Sequence, residues 1–374
     1  MPDKNKDLFL EEEEDPPPSL RDLNIFLESS SHDDFFIENF SNDYLDDFKN
    51  EYSIFQTPNK QSTNLVPGVK VEIIRDLPQC EQLWRFFSPL ESLFDTWEFR
   101  YAFYLAYKHS PYFILLKEKG EKLALLPLWY EADRKKYFWF GSWWQEDNSF
   151  FVKDLNYVPM LLDLALPPLH LNAIKASTIH KLREINNSID FQADDPKYIV
   201  NLRNLKQADD FIANLKKKRR YNIKRDQKRI NELKPKIIYN RFEDFDKLVE
   251  LSKKRFCEKN ESTDWEDPRR VEAFKQVIKL AKKKRTYQIR MISIEINKKI
   301  AAIDLIAIYK KNYYPLKCAY NVAEFPGIGN FTNLFEIEDA LSLGMKKIDF
   351  LEMSYGWKDK WFESIPLYKL EKDK

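Results

Sequence analysis

Between residues 287 and 321 apolar and polar positions fall into three strand-like runs, 287–296, 300–309 and 313–321. The polar triplets Asn297-Lys298-Lys299 and Lys310-Lys311-Asn312 separate them, which predicts strands joined by hairpin turns. Beyond residue 325 the period changes. Phe331, Leu334, Phe335, Ile337, Glu338 and Leu341 recur at helical spacing until Gly344, and 347–351 reads as one more short strand. The same order of elements stands earlier in the chain. Strands are expected at 112–118, 122–130 and 137–144, a helix at 158–166 and a strand at 169–174. A strand at 69–74 and helices at 78–87 and 97–108 precede them. The body of the chain therefore reads as a diverged internal duplication. The second copy is expected to open with the strand 197–202 and to continue with a long helix over 208–232. A strand at 236–240 and helices at 242–258 and 269–284 follow, with a polar loop at 261–268.

The turn Phe325-Pro326-Gly327-Ile328-Gly329-Asn330 sits where the third strand gives way to the helix, and it holds two of only seven glycines in 374 residues. A glycine turn feeding a helix presents backbone N–H groups with no internal partner at the positive end of the helix dipole, a site suited to phosphate. The helix crossover makes 347–351 parallel to its neighbour, and a ligand crevice is expected there. In the first copy the corresponding segment, 145–156, has no glycine. That copy is expected to lack the cradle and to shape the substrate side. Its aromatics Trp139, Phe140, Trp143 and Trp144 either line a pocket or pack in the core.

Charge adds a division that the formal net of +1 conceals. Residues 1–56 hold 16 acids against 4 bases, leaving about +13 on the rest. Residues 1–66, with the acidic run 11–15 and Pro16-Pro17-Pro18, are expected to be a disordered, solvated tail, the alternative being that it docks on the basic helix or on a partner. The basic helix carries Lys216-Lys217-Lys218-Arg219-Arg220, then Lys224, Arg225, Lys228 and Arg229. Such a stripe is a solvated face, a seat for an anionic substrate or cofactor tail, or a nucleic-acid contact. Cys80, Cys257 and Cys318 are far apart and read as reduced thiols, and four scattered histidines suggest no metal site. No apolar stretch follows the charged first residues, and no run reaches membrane-spanning length, so a soluble, cytoplasmic protein is expected.

Several stretches together resemble a known family. They are Arg220-Tyr221-Asn222-Ile223-Lys224-Arg225, Pro326-Gly327, Ala340 with Gly344, and Asp349-Phe350-Leu351 followed by Trp357-Lys358. In the first copy, Thr96-Trp97 and Leu126-Pro127-Leu128 join them. The set resembles the "BioF2-like", CelD (BcsL)-type acyltransferases, relatives of the FemAB aminoacyl transferases within the GNAT acetyltransferase fold. The likeness spans roughly residues 69–362. Glu352-Met353-Ser354-Tyr355-Gly356 stands where the family has a basic residue, a glycine and an acid, and Trp357 replaces a tyrosine.

The resemblance implies an α/β fold of two tandem GNAT-like domains with mixed sheets, 67–194 (the degenerate, substrate-side copy) and 195–374. It implies an N-acyltransferase using acyl-CoA, or another phosphopantetheine thioester, and a small-molecule or peptide-like amine as acceptor. The donor would lie along Cys318, Tyr320, Asn321, Pro326, Gly327, Ile328, Gly329, Asn330 and Phe331. Arg220, Arg225, Trp357 and Lys358 are assigned to the substrate side, with Lys358 either meeting a phosphate or standing as a surface lysine. Asp304, the only charge in 300–309, is the first candidate for general base, since desolvation would raise its pKa. Its alternative is a cross-strand ion pair with Lys317. Asp349 and Glu352, near the carboxyl end of the last strand, come second, against plain solvent exposure. Two other functions stay open: a FemAB-like transferase drawing on aminoacyl-tRNA for cell-envelope peptides, and a non-catalytic scaffold.

Overall fold

The structure, a computed structural model, describes residues 68–373 apart from 143 and 355. The acidic tail, its expected docking and Trp143 lie outside the described residues. In chain order the first copy begins with β1 (Val69–Ile74), α1 (Leu77–Phe87) and α2 (Trp97–Tyr107). Local chemistry sets these bounds. Asp76 accepts from the Gln79 amide at 3.1 Å and a proline enters the first turn of α1, while Lys108 ends α2 in the left-handed region. Next come β2 (Ser110–Glu118), β3 (Glu121–Glu131), β4 (Lys136–Trp139), β5 (Phe151–Val152), α3 (Tyr157–Leu164), β6 (Leu169–Lys175), α4 (Ala176–Ile185) and β7 (Gln192–Ala193).

The second copy contains β8 (Lys197–Asn201), α5 (Ala208–Ala213), α6 (Lys217–Glu232), β9 (Lys236–Tyr239), α7 (Phe245–Cys257) and α8 (Pro268–Lys284). It continues with β10 (Gln288–Ile296), β11 (Lys299–Tyr309), β12 (Asn312–Tyr320), α9 (Ile328–Ser342), β13 (Lys347–Glu352), β14 (Glu363–Ile365) and β15 (Leu367–Lys372). The expected single helix over 208–232 is two helices, because Asn214 and Leu215 turn back onto the carbonyls of Phe211 and Ile212. The strand expected over 137–144 stops at Trp139. Gly141 turns the chain there with φ 75°, and the Arg100 backbone lies within 3.1 Å of where a Cβ would stand.

Both copies build a mixed sheet with one topology. The first runs β1-β2-β3-β4-β6-β15-β7 and the second β9-β10-β11-β12-β13-β8-β14. Each has a single parallel pair, β4 with β6 and β12 with β13, and an antiparallel strand next to it. That neighbouring strand is exchanged. β8, which follows the first copy, completes the second sheet, and β15, which follows the second copy, completes the first. The strand at 197–202, expected to open the second copy, sits beside β13 instead; β9 takes the opening place.

The exchange and a shared core make the copies one body. α2 packs along α8, with Phe103 against Phe274 at 5.7 Å and Phe99 against Tyr287 at 5.8 Å between ring centroids. The Tyr309 hydroxyl donates to the Leu90 carbonyl at 2.9 Å. No described helix is long and apolar enough to cross a membrane.

Candidate active site

β12 and β13 pair only at Asn312–Lys347 and Tyr313–Ile348, then separate. Two features of β12 cause the splay. Pro315 has no N–H to give a ladder, and Leu316 is an extra residue, since Ile306 faces Pro315 while Leu305 faces Lys317. Past this bulge, the Asn321 amide bonds the Ala301 carbonyl at 2.9 Å, so by antiparallel alternation the amides of Cys318 and Tyr320 point away from β11 into the gap. The first copy has a similar gap, β4 and β6 pairing only at Tyr137–Leu169 and Phe138–His170, but it is filled. Asn148 bonds backbone groups of Ala173 and Lys175 on β6, and the buried Arg100 guanidinium holds the Asn148 side chain at 2.6 Å. In the second copy the buried Lys358 ammonium bonds the carbonyls of Phe350, Leu351 and Glu352 on β13.

At the glycine turn, Gly327 has φ 96° and α9 starts at Ile328. The amides of Ile328 and Phe331 are already bonded to the carbonyls of Phe325 and Gly327, whereas those of Gly329 and Asn330 have no acceptor among the described residues. The turn is not an open cradle. Asp226 of α6 presses its Cβ and Cγ to within 2.9 Å of where a Gly327 Cβ would be, and its carboxylate accepts from Asn330 Nδ2 at 2.6 Å. Arg225 donates to the same carboxylate through two contacts of 3.0 and 2.8 Å. Arg225 thus reaches the turn through Asp226, on the segment expected to hold the donor. Arg220 instead closes the end of α5, donating to the Ala213 carbonyl at 2.8 Å.

At the carboxyl end of β13 the two copies bring charged groups together. Lys197 spans Asp147 at 2.6 Å and Asp349 at 2.9 Å, and Lys347 reaches Asp349 at 3.1 Å. Burial alone would raise Asp349, but Lys197 and Lys347 hold it below its ordinary value as a buried, doubly paired anion. Glu352 differs. Its amide donates to Glu146 Oε1 at 2.7 Å, while Glu146 Oε2 and Glu352 Oε1 are buried with no hydrogen-bond donor among the described residues. Burial and then the Asp349 charge push Glu146 up to about 8 against the opposing Glu352 amide, while burial and then the Glu146 charge push Glu352 up. Two neighbouring carboxyls of this kind exchange protons near neutrality as a coupled pair. Asp147, Leu351 and Met353 all have positive φ here, at 54°, 65° and 67°, strain of the sort held in place around sites that act. The sequence reading missed Glu146.

Asp304 lies elsewhere. It is fully buried on the α9 face of β11, opposite Cys318, and burial raises its pKa well above the ordinary value while the Tyr320 phenol opposes the rise. Glu336 on α9 is raised likewise by burial and by Asp304. The expected Asp304–Lys317 pair does not form. The Leu316 bulge turns Lys317 to the other face, where it binds Asp264 at 2.5 Å among the rings of Trp265, Trp144 and Phe274. An acid whose native pKa is raised contributes stability below its unfolded pKa near 4, and that contribution is lost as pH climbs toward the native pKa. Asp304→Asn is therefore expected to raise the melting temperature at pH 7–8 and to leave it nearly unchanged near pH 4. Turnover should stay within a few-fold; a collapse of kcat at unchanged KM would restore Asp304 as the base.

Lys358 is buried, its ammonium on the carbonyls of Phe350, Leu351 and Glu352 at 2.6, 3.3 and 2.6 Å, so it ties off β13 and is neither a surface lysine nor a phosphate ligand. Trp357 packs its ring against Phe362 at 5.7 Å. Trp139 and Phe140 are core residues, whereas Trp144 is half-buried between the copies, 5.0 Å from Phe274. His109, Glu131 and Asp133 come within 4.8 Å of one another, a grouping not foreseen, but Arg134 and Arg269 sit on its two carboxylates at 3.6 and 3.5 Å.

Residues 217–359, spanning α6, the glycine turn and β13, match the family described as an acetyltransferase (GNAT) domain. That stretch is similar to GNAT-type acetyltransferase domains. Solved structures agree on the fold around it. FemX is 10% identical with a TM-score of 0.53, over 81% of this chain and 98% of that one. A conserved protein of unknown function from Bacteroides thetaiotaomicron VPI-5482 is 12% identical with a TM-score of 0.50, over 80% of this chain and 99% of that one. No curated protein sequence matches the chain. Within the matched stretch lie the splay, the glycine turn and Glu352, and the first copy supplies Glu146, which accepts from the Glu352 amide.

Proposed function

We propose that the chain transfers an acyl group from acyl-CoA to an amine, a small molecule or a peptide-like group, held between the copies. The observation that carries this reading is the splay: beyond Tyr313 the outward amides of β12 have no strand partner, which suits a thioester arm lying alongside them. An amide near Cys318–Tyr320 would polarise the thioester carbonyl. The ionised member of the Glu146–Glu352 pair would take a proton from the attacking amine as the C–N bond forms. The protonated member would give one to sulfur as the C–S bond breaks, leaving the pair with one proton as before. The substrate amine therefore leaves as an amide and CoA as a free thiol.

Asp226 supports a second reading. A carboxylate beside the glycine turn opposes a diphosphate there, and a donor without one, such as an aminoacyl ester of tRNA, meets no such repulsion. Thermal-shift measurements with CoA, acetyl-CoA and longer acyl-CoAs separate the two, because a ligand that binds the native state raises its melting temperature. For the acyl-CoA reading, a shift is expected in the parent protein, and Asp226→Asn should enlarge it by removing the repulsion. No shift in either protein, together with salt-sensitive binding of tRNA, would favour the second reading.

A further inference from the structure

At the opposite end of the second sheet, where β12 and β13 begin, a cleft of about 570 Å³ is lined by Arg203, Lys310, Lys311, Lys346 and Lys347. Asn201, Asn312 and Ile199 complete its wall, and no carboxylate lines it. Among the described residues, Lys347 alone of these has an ion-pair partner within 4.0 Å, Asp349. Glu91, an acid that feels the Lys310 charge, is held by Lys175 at 2.9 Å. The cations are fixed in place by the backbone that carries them. The amides of Lys346 and Lys347 both bond the Lys311 carbonyl, at 2.8 and 3.4 Å, and the Leu202 amide bonds the Lys346 carbonyl at 2.9 Å. The Arg203 amide bonds Asn201 Oδ1 at 3.1 Å. Three chain segments thus hold like charges together, an arrangement that repels itself until an anion enters.

We propose that this cleft binds a ligand bearing two or three linked phosphates. Four of the five cations have no ion-pair partner among the described residues, and a phosphate group carries about −1.5 to −2 at neutral pH, so a short oligophosphate balances them where one carboxylate does not. Lysine ammonium groups meet phosphate oxygens as point charges, and the one arginine adds a fork. Ile199 is the only apolar side chain in the wall, too little for an acyl chain or a stacked ring. The cleft is one bounded cluster, not a track, which argues for a small ligand over a nucleic-acid strand. It lies away from the splay, so it stands or falls apart from the acyl-transfer reading.

Calorimetric titration of the full chain with sodium tripolyphosphate, and separately with ADP, tests it. One-to-one binding is expected at low salt, weakening at least ~10-fold by 0.3 M salt. Stronger binding of ADP identifies a nucleoside carrier, and binding of tripolyphosphate alone a bare oligophosphate. The double variant Lys311→Glu/Lys346→Glu should bind at least ~10-fold more weakly while melting like the parent, since both side chains are exposed. The milder Lys311→Gln/Lys346→Gln should fall between. No heat with either ligand, equal binding by the double variant, or an equal loss from Lys224→Glu on the basic helix would overturn the proposal.

Discussion

Replacing Glu352 by Gln is expected to lower kcat roughly 10²–10⁴-fold while KM for the thioester stays within a few-fold, the scale of losing one general acid–base group. The substitution keeps volume and the backbone contact to Glu146 and removes only the titrating proton. It also removes a buried acid whose raised pKa costs stability at neutral pH, so the melting temperature should rise while activity falls. That opposite movement separates lost chemistry from lost folding. Because burial raises Glu146 to about 8, the parent's kcat/KM should climb with pH through that region, and Glu146→Gln should abolish the climb. Activity within twofold of the parent, with an unchanged pH profile, would take the pair out of the mechanism.

Deleting residues 366–373 is expected to unfold the first copy, although they follow the second in sequence. β15 lies between β6 and β7 and buries Leu367 and Leu370. Two buried leucines are worth about 3–6 kcal/mol, a large share of the roughly 5–15 kcal/mol that holds a domain folded. The deletion also bares the edge of β6. Loss of the cooperative melt in the truncated protein, restored by adding the peptide 366–373 in trans, is the expected result. A truncated protein that melts like the parent would mean that the exchange contributes little.

The strands and helices of the second copy were legible because each presents one regular period: 287–321 alternates, and 328–342 repeats at helical spacing. The reciprocal exchange was not, since nothing local in 197–201 or 367–372 says which sheet a strand will join. Within the site, two signals were present and easily passed over. Pro315 inside an otherwise strand-like run marks the point where β12 leaves β13. Asp226 is the sole acid between residues 216 and 231, and a lone acid in a basic helix needs a reason; here it is the glycine turn. Glu146 had no such signal, because its role depends on a loop of the first copy meeting the last strand of the second. The Asp304–Lys317 pair fails for a physical reason: one bulge residue, Leu316, puts Lys317 on the opposite face.

The claim that the thioester lies in the gap between β12 and β13 is tested most directly by its own cysteine. Cys318 opens to solvent at that gap, Cys257 is exposed far along the chain at the end of α7, and Cys80 is buried. Surrounding protein and Asp304 push the Cys318 thiol up to about 11, so alkylation should be followed near pH 9 by peptide mapping. A donor in the gap predicts that saturating acetyl-CoA slows labelling of Cys318 at least ~10-fold and leaves Cys257 untouched, whereas equal labelling of Cys318 with and without acetyl-CoA would contradict it.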